Sequence, residues 1–380
     1  MKLLIIGGMG IIGGAITEAA LERGFEVTVV SRSNPSGKWT DIPAKYIRGN
    51  WYDDSLAEDI VSEGFDVVID TVVFDEKQME RSAKIVEGHC KQFILISTDS
   101  VYPHPGSLVT EDAYIDKDAV KWNYGIKKYK AEIYLKEHSS EYSFYWTVIR
   151  PTITFGDTRL PVGFASRRNT CNLIDRLVNG KPVLRFEDRG SKHAICHVSV
   201  FGAATAGLLL NEKAYGQCYH ISDDKAYTFD EIFEALEQIL GVKGRYVHMP
   251  ADTVSSIPWI YEDMIYDKDS EFTLDNSKIK TACSEIDYSC DLTLVLTRTV
   301  RYLEDNRESF EQDSEYDLIT DLVLLRNSDK LDLKDREYVI GFTKEYIQTL
   351  KRSEQARNKQ NRIEKIKDTL RPIKHKLMGL

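Results

Sequence analysis

Tyr124 and Lys128 stand four positions apart in a stretch, Tyr124 to Glu137, that reads as a helix, so their side chains share one face. An ammonium beside a phenol favours the phenolate and lowers the tyrosine pKa. A tyrosine tuned in this way exchanges a proton with a carbinol or carbonyl oxygen near neutral pH. The same spacing also describes an ordinary surface pair on an amphipathic helix. A second cluster, Ser97-Thr98-Asp99-Ser100, closes an apolar run that reads as a strand from Phe93 to Thr98. A hydroxyl there projects from the carboxyl edge of a sheet, towards the oxygen that the tyrosine would serve. The alternative is a Ser/Thr-rich turn with local backbone bonds.

A third cluster is Gly7-Gly8-Met9-Gly10-Ile11-Ile12-Gly13, between the apolar run Lys2 to Ile6 and a helical stretch, Ala15 to Arg23. A strand that turns sharply into a helix exposes the first helical N–H groups, and these favour a pyrophosphate. Glycines allow the backbone to approach the ligand closely. A plain tight turn is the competing reading.

The elements that must position these groups alternate. Strands are expected at Lys2–Ile6, Glu26–Val30, Ala44–Arg48, Val67–Thr71, Phe93–Thr98 and Thr147–Ile149, with helical periodicity between them, as in Gln78 to Glu87. Short apolar, β-branched runs suit a parallel sheet buried on both faces. The pattern predicts an α/β fold with a doubly wound parallel sheet, a Rossmann fold, over residues 1–155. Clear alternation ends at Arg150-Pro151. Residues 156–305 read as a smaller substrate lobe, partly interleaved with the first domain, in which Phe229 to Leu240 is an amphipathic helix capped by Thr228. Leu292 to Leu303 reads as the helix that closes this lobe.

Size and charge narrow the function. The chain has 380 residues, enough for two or three domain-sized units. A net charge of −10 argues against general nucleic-acid binding and against DNA. The six cysteines form no Cys-x-x-Cys pair, which argues against a disulfide framework or a zinc site and suits a reducing cytoplasm. There is no signal-peptide layout and no apolar run near the ~20 residues a membrane span needs.

Together with Arg150-Pro151-Thr152-Ile153-Thr154-Phe155-Gly156, the three clusters resemble the extended short-chain dehydrogenase/reductase family, in its nucleotide-sugar epimerase/dehydratase branch. The resemblance covers about residues 1–305. Weaker echoes are Gly49-Asn50, His193, His197-Val198 and Asp275-Asn276-Ser277-Lys278. It implies a dinucleotide over Gly7, Gly10, Ile11, Ile12 and Gly13, with Asn50, Trp51, Thr71 and Pro151 also lining the cofactor. Tyr124 matches the catalytic acid/base, Lys128 the lysine that holds the nicotinamide ribose, and Thr98 the hydroxyl that polarises the sugar oxygen. The resemblance also implies a homodimer.

Departures from the family pattern refine the reading. Ser31-Arg32-Ser33 stands where NAD-binding members carry an acidic residue, and Ser31, Arg32 and Ser33 suit a 2′-phosphate. NADP(H) is therefore expected before NAD(H). Asp70-Thr71-Val72-Val73 replaces a small, Ala-rich stretch and would crowd the underside of the cofactor. In sugar 4,6-dehydratases of this family Thr-Asp-Glu occupies positions 98–100, with the Asp as acid and the Glu as base. Here Asp99 is kept as a catalytic candidate, and Ser100 replaces the base. A serine does not readily remove a carbon-bound proton. The expected chemistry is 4-epimerisation or 4-keto reduction of a nucleotide-activated sugar, with 4,6-dehydration as the alternative. A non-catalytic nucleotide-sensing or RNA-associated scaffold is an alternative of another class.

Arg159, Arg167, Arg168, Arg185, Lys192 and His193 are candidate contacts to the substrate diphosphate, with Arg185 and His193 preferred. Residues 306–380 fall outside the resemblance and read as a helical extension with a basic tail. Residues 351–380 carry ten Lys or Arg against three Asp or Glu. Ile363, Ile366, Leu370, Ile373 and Leu377 form one helical stripe, interrupted near Pro372. Self-association, contact with an anionic membrane surface and a solvated tail all fit that stripe.

Overall fold

A computed structural model describes residues 1–8, 10–35, 37–166, 169–250, 253, 263–310, 312–327, 337–338 and 341. Seven parallel strands form the central sheet, in the order Gln217–Ile221, Tyr145–Pro151, Gln92–Ile96, Val67–Asp70, Lys2–Ile6, Glu26–Ser31 and Lys45–Arg48. Side chains alternate across the pleat, so Leu3 and Ile5 enter one apolar core while Leu4 and Ile6 enter another. The helices Ile11–Glu22 and Val198–Gly207 cover the first face; Asp54–Val61, Glu76–Val86 and Asn123–Glu137 cover the second. Gly202 lets its helix approach the Ala15 carbonyl, where a Cβ would collide. This is the expected doubly wound fold.

Two local expectations change. The strand expected to run through Thr98 ends at Ile96, and Asp99–Val101 forms a tight 3-10 turn with the Thr98 hydroxyl accepting from the Ser100 N–H. Clear alternation in the sequence ends at Arg150-Pro151, yet Gln217–Ile221 joins the sheet edge beside Tyr145–Pro151. Its register partners lie some seventy residues earlier, so no local pattern announces the pairing.

The second lobe has its own core, with Phe155, Leu173, Val183, Phe229, Ile232, Leu236 and Leu296. Its helix Phe229–Leu240 starts at a capping box between Thr228 and Glu231 and ends at Gly241 with φ +65°. A four-stranded sheet combines Gly106–Val109 with Lys192–His193, Tyr227–Thr228 and Phe272–Leu274.

The acidic part of the extension belongs to this lobe. Helix Ser314–Arg326 packs Tyr316, Ile319, Val323 and Leu324 against Phe164, Leu184, Phe186 and Met264. The basic stripe from Ile363 to Leu377, like Arg167 and Arg168, lies outside the described residues. All six cysteines are free thiols. Among the described residues no helix is long and apolar enough to cross a membrane.

Candidate functional site

The site lies at the carboxyl edge of the central sheet, where the ends of neighbouring strands present Gly7, Thr71 and Thr98. Gly7 leaves the first strand at φ +82°, a conformation that side chains rarely adopt. Helix Ile11–Glu22 begins at Gly10, which has no side chain to cap the first N–H groups. A Cβ on Gly10 would meet open space, whereas one on Gly13 would collide with Gly8. Just past the fourth strand, the Thr71 and Val72 side chains fill the space a Cβ on Gly7 would need, and the Thr71 hydroxyl donates to the Ile6 carbonyl at 2.8 Å. Uncapped amides with open space in front fit the pyrophosphate of a dinucleotide.

Next to this loop, Arg32 and Ser33 are exposed and Ser31 is half-buried at the end of the second strand. The Ser33 N–H lies 3.3 Å from Ser31 Oγ. Asn50 is exposed, and its Oδ1 accepts from the Tyr52 N–H at 3.3 Å. Trp51 is buried under Arg81, which donates to the Trp51 carbonyl at 2.8 Å. Pro151 ends the strand Tyr145–Pro151, also buried.

Helix Asn123–Glu137 carries Tyr124 and Lys128. Gly125 lets this helix seat directly on the Ser100 carbonyl, where any Cβ would collide. That contact brings Tyr124 to the 98–100 turn. Lys128 is fully buried and donates to the Val73 carbonyl at 2.7 Å and the Ile96 carbonyl at 2.6 Å. Its ammonium also lies 5.4 Å from the Phe74 ring. An ammonium has three donors, so one remains for a ligand. Burial pulls the Lys128 pKa down to about 8, opposed by Asp70 and Glu132.

The expected lowering of the tyrosine pKa does not occur in this structure. Burial and then the neighbouring Asp99 push Tyr124 up to about 12, while a hydrogen bond with Thr98 works the other way. The Lys128 ammonium gives two of its three donors to the Val73 and Ile96 carbonyls, and the charged neighbour that acts most on the phenol is Asp99.

Thr98 Oγ1 lies 3.3 Å from Asp99 Oδ1 and 3.1 Å from Ser100 Oγ. Burial, and then Asp267, raise the Asp99 pKa above the usual carboxylate range. Sequence reasoning missed Asp267, Lys268, Asp263 and His104, because no motif or spacing links them to the turn. Ser100 Oγ donates to Asp267 Oδ1 at 3.0 Å. Burial alone would raise Asp267, but the adjacent Lys268 ammonium outweighs it and holds the carboxyl down. A cavity of about 250 Å³ opens beside this group, lined by Ser100, His104, Trp122, Arg189 and Tyr266.

The two preferred substrate contacts are engaged within the lobe. Arg185 pairs with Asp230 at 2.6 Å and stacks over Phe233 at 4.7 Å. His193 stacks on Phe229 at 4.4 Å, 3.7 Å from Asp188, and lies near enough to His104 to affect its charge. His197 caps helix Val198–Gly207.

A family model described as the NAD dependent epimerase/dehydratase family matches residues 3–214. The chloroplast stem-loop binding protein of 41 kDa b from Arabidopsis thaliana is 26% identical over 249 residues, 62% of each chain. The chain thus spans less than two thirds of that relative. A putative UDP-glucose 4-epimerase from Methanocaldococcus jannaschii is 23% identical over 65% of this chain and 85% of its own. Among solved structures, UDP-glucuronic acid 4-epimerase from Bacillus cereus, in complex with UDP-glucuronic acid and NAD, superposes with a TM-score of 0.65. It is 18% identical and covers 80% of this chain and 99% of its own, a likeness of fold.

Proposed function

Because this chain belongs to the NAD dependent epimerase/dehydratase family, within the extended short-chain dehydrogenases/reductases, we propose that it moves hydride at a carbon of a nucleotide-activated sugar. The reaction is 4-epimerisation or 4-keto reduction, with NADP(H) preferred over NAD(H). The observation that carries this reading is the meeting of Tyr124, Thr98 and Lys128 at the carboxyl edge of the sheet, beside a glycine loop with uncapped amides.

A nicotinamide dinucleotide bound there supplies reversible hydride transfer. Gly7, Gly10, Ile11, Ile12 and Gly13 hold its pyrophosphate, with Asn50, Trp51, Thr71 and Pro151 along its length. Ser31, Arg32 and Ser33 offer donors and a positive charge to a 2′-phosphate, with no carboxylate among them to repel it. Lys128 directs its remaining N–H to the ribose. Thr98 donates to the sugar oxygen, and Tyr124 gives or takes the hydroxyl proton. A tyrosine raised to about 12 is a proton donor in the ground state, which suits protonation of a developing alkoxide. Ser100 offers no base of its own, so dehydration ranks below these reactions. Arg185 and His193, which the lobe engages through Asp230 and Phe229, rank as secondary candidates for the substrate diphosphate.

The test pairs binding with turnover. Tyr124→Phe is expected to bind NADPH as the parent does and to lose at least about a hundredfold in turnover of UDP-hexoses or their 4-keto forms. Full activity in that variant removes the mechanism.

A second reading has its own support, the 26% identity to a stem-loop binding protein. In that reading the fold is an RNA-associated scaffold. Salt-dependent binding of a stem-loop RNA, undisturbed by Tyr124→Phe, would favour it over catalysis.

A further inference from the structure

The stretch Asp70-Thr71-Val72-Val73, which departs from the family pattern, forms a turn beside the glycine loop. Asp70 ends its strand fully buried, and both oxygens of its carboxyl accept hydrogen bonds. Oδ1 takes the Val72 N–H at 2.8 Å and the Val73 N–H at 3.2 Å. Oδ2 takes the Ser82 hydroxyl at 2.6 Å. The carbonyls of the turn point elsewhere: Val72 accepts from the Tyr52 hydroxyl at 2.7 Å and Val73 from the Lys128 ammonium at 2.7 Å. Every backbone polar group of Val72 and Val73 thus has a partner, and Asp70 supplies half of them.

The aim of Lys128 therefore depends on Asp70. Drawing two successive N–H groups onto one side-chain oxygen folds the chain back, as aspartate does in turns, and presents the Val73 carbonyl to the ammonium. The Ile96 carbonyl takes a second donor at 2.6 Å, so the direction of the third is set. Charge follows the same route. Asp70 and Lys128 are both buried, where a charge of either sign is costly without its opposite. Asp70 is the charged group that acts most on Lys128, and Lys128 the one that acts most on Asp70. Glu132 also faces Lys128, but Arg150 at 2.6 and 3.0 Å and Lys136 at 3.3 Å already answer its charge. The Phe74 ring is neutral, and Tyr52 faces Asp70 as a phenol whose proton goes to the Val72 carbonyl.

We propose that Asp70 is the positioning residue of Lys128: its carboxylate folds residues 71–73 so that the Val73 carbonyl fixes one ammonium donor, and its charge keeps that ammonium protonated inside the fold. The inference rests on reading Lys128 as the lysine that holds the nicotinamide ribose. Asp70 has no exposed surface, so it acts through Lys128 and not on a ligand. A small, Ala-rich stretch has no carboxylate for this task. The departure in sequence is a device that aims and charges the lysine.

Carbon-13 NMR of the full-length protein with labelled lysine, free of cofactor, follows the Lys128 Cε resonance against pH; Lys128→Met assigns it. The parent is expected to titrate at about pH 8. Asp70→Asn keeps an acceptor oxygen for the two N–H groups and removes the charge, so Lys128 should titrate at a pH lower by about one unit or more. NADPH binding, read by fluorescence, gives the second measure. Asp70→Asn should bind NADPH as the parent does at about pH 6, where the ammonium is charged in both, and about tenfold more weakly at about pH 9. A merely structural role would weaken binding equally at every pH. If Lys128 titrates unchanged in Asp70→Asn, the proposal is overturned. It is overturned as well if parent binding follows the Lys128 titration while the loss in the variant is the same at both pH values. Should Asp70→Asn fail to fold, Lys128→Met decides by reciprocity. Asp70 then loses its cation and should take up a proton, seen as a new carboxyl stretch in the infrared at neutral pH; no new band overturns the proposal. If parent NADPH binding ignores the Lys128 titration, the reading of Lys128 as the ribose lysine fails, and the Cε shift still decides whether Asp70 governs it.

Discussion

Arg176 and Asp321 form a buried ion pair at 2.6 Å that ties the C-terminal extension into the substrate lobe. Asp317 joins the same guanidinium at 3.1 Å, and Asp313 accepts from Ser166 at 2.6 Å. Acidic residues of the extension are thereby anchors. Helix Ser314–Arg326 braces Phe164 and Met264, and the latter neighbours Asp263 at the site.

Arg176→Met should leave Asp321 buried without its cation and cost roughly 3–5 kcal/mol of stability. Combining it with Asp321→Leu should recover most of that loss, because an apolar pair needs no compensation. Urea unfolding of the two variants checks this. A loss below about 1 kcal/mol in Arg176→Met would show that the extension is not anchored here.

Gly125→Ala should separate the Tyr124 helix from the 98–100 turn, since the new Cβ meets the Ser100 carbonyl. Overpacking of this kind costs about 1–3 kcal/mol. Turnover should fall further than stability implies, because Tyr124 and Thr98 are moved apart. Parent-like turnover in a folded Gly125→Ala protein would mean that this contact does not position the tyrosine.

Arg32→Ala should weaken NADPH binding about tenfold or more while changing NADH binding little, as loss of a charge-assisted phosphate contact requires. Fluorescence titration with both cofactors measures it. Equal losses for the two would remove the 2′-phosphate assignment.

Acid stability should depend on Glu132. Burial alone would raise its pKa, but Arg150, at 2.6 Å, outweighs burial and holds it down to about 2. A folded pKa below the unfolded one gives stability that is present above about pH 4.5 and is lost as pH falls towards 2. Urea midpoints of the parent should therefore drop between pH 5 and 2. Glu132→Gln should be less stable at neutral pH and show a flatter acid dependence. An unchanged slope in that variant would assign the acid sensitivity to other carboxyls.

Much of the scaffold was legible in the residues themselves. The apolar runs from Lys2 to Ile6 and from Val67 to Asp70, the glycine loop, the Thr228 cap and the Tyr124–Lys128 spacing are local patterns. Backbone geometry writes those at periods of two, or of three to four residues. Tertiary structure alone decided the rest. It placed Gln217–Ile221 on the sheet edge, turned Lys128 to the Val73 and Ile96 carbonyls, raised the Tyr124 pKa and brought Asp267 to Ser100, 167 positions away. A charge's effect depends on how far it lies through space and how much water lies between. Neither quantity has a period along the chain, so an isolated Asp-Lys pair near residue 267 looks like any surface charge until the fold buries it.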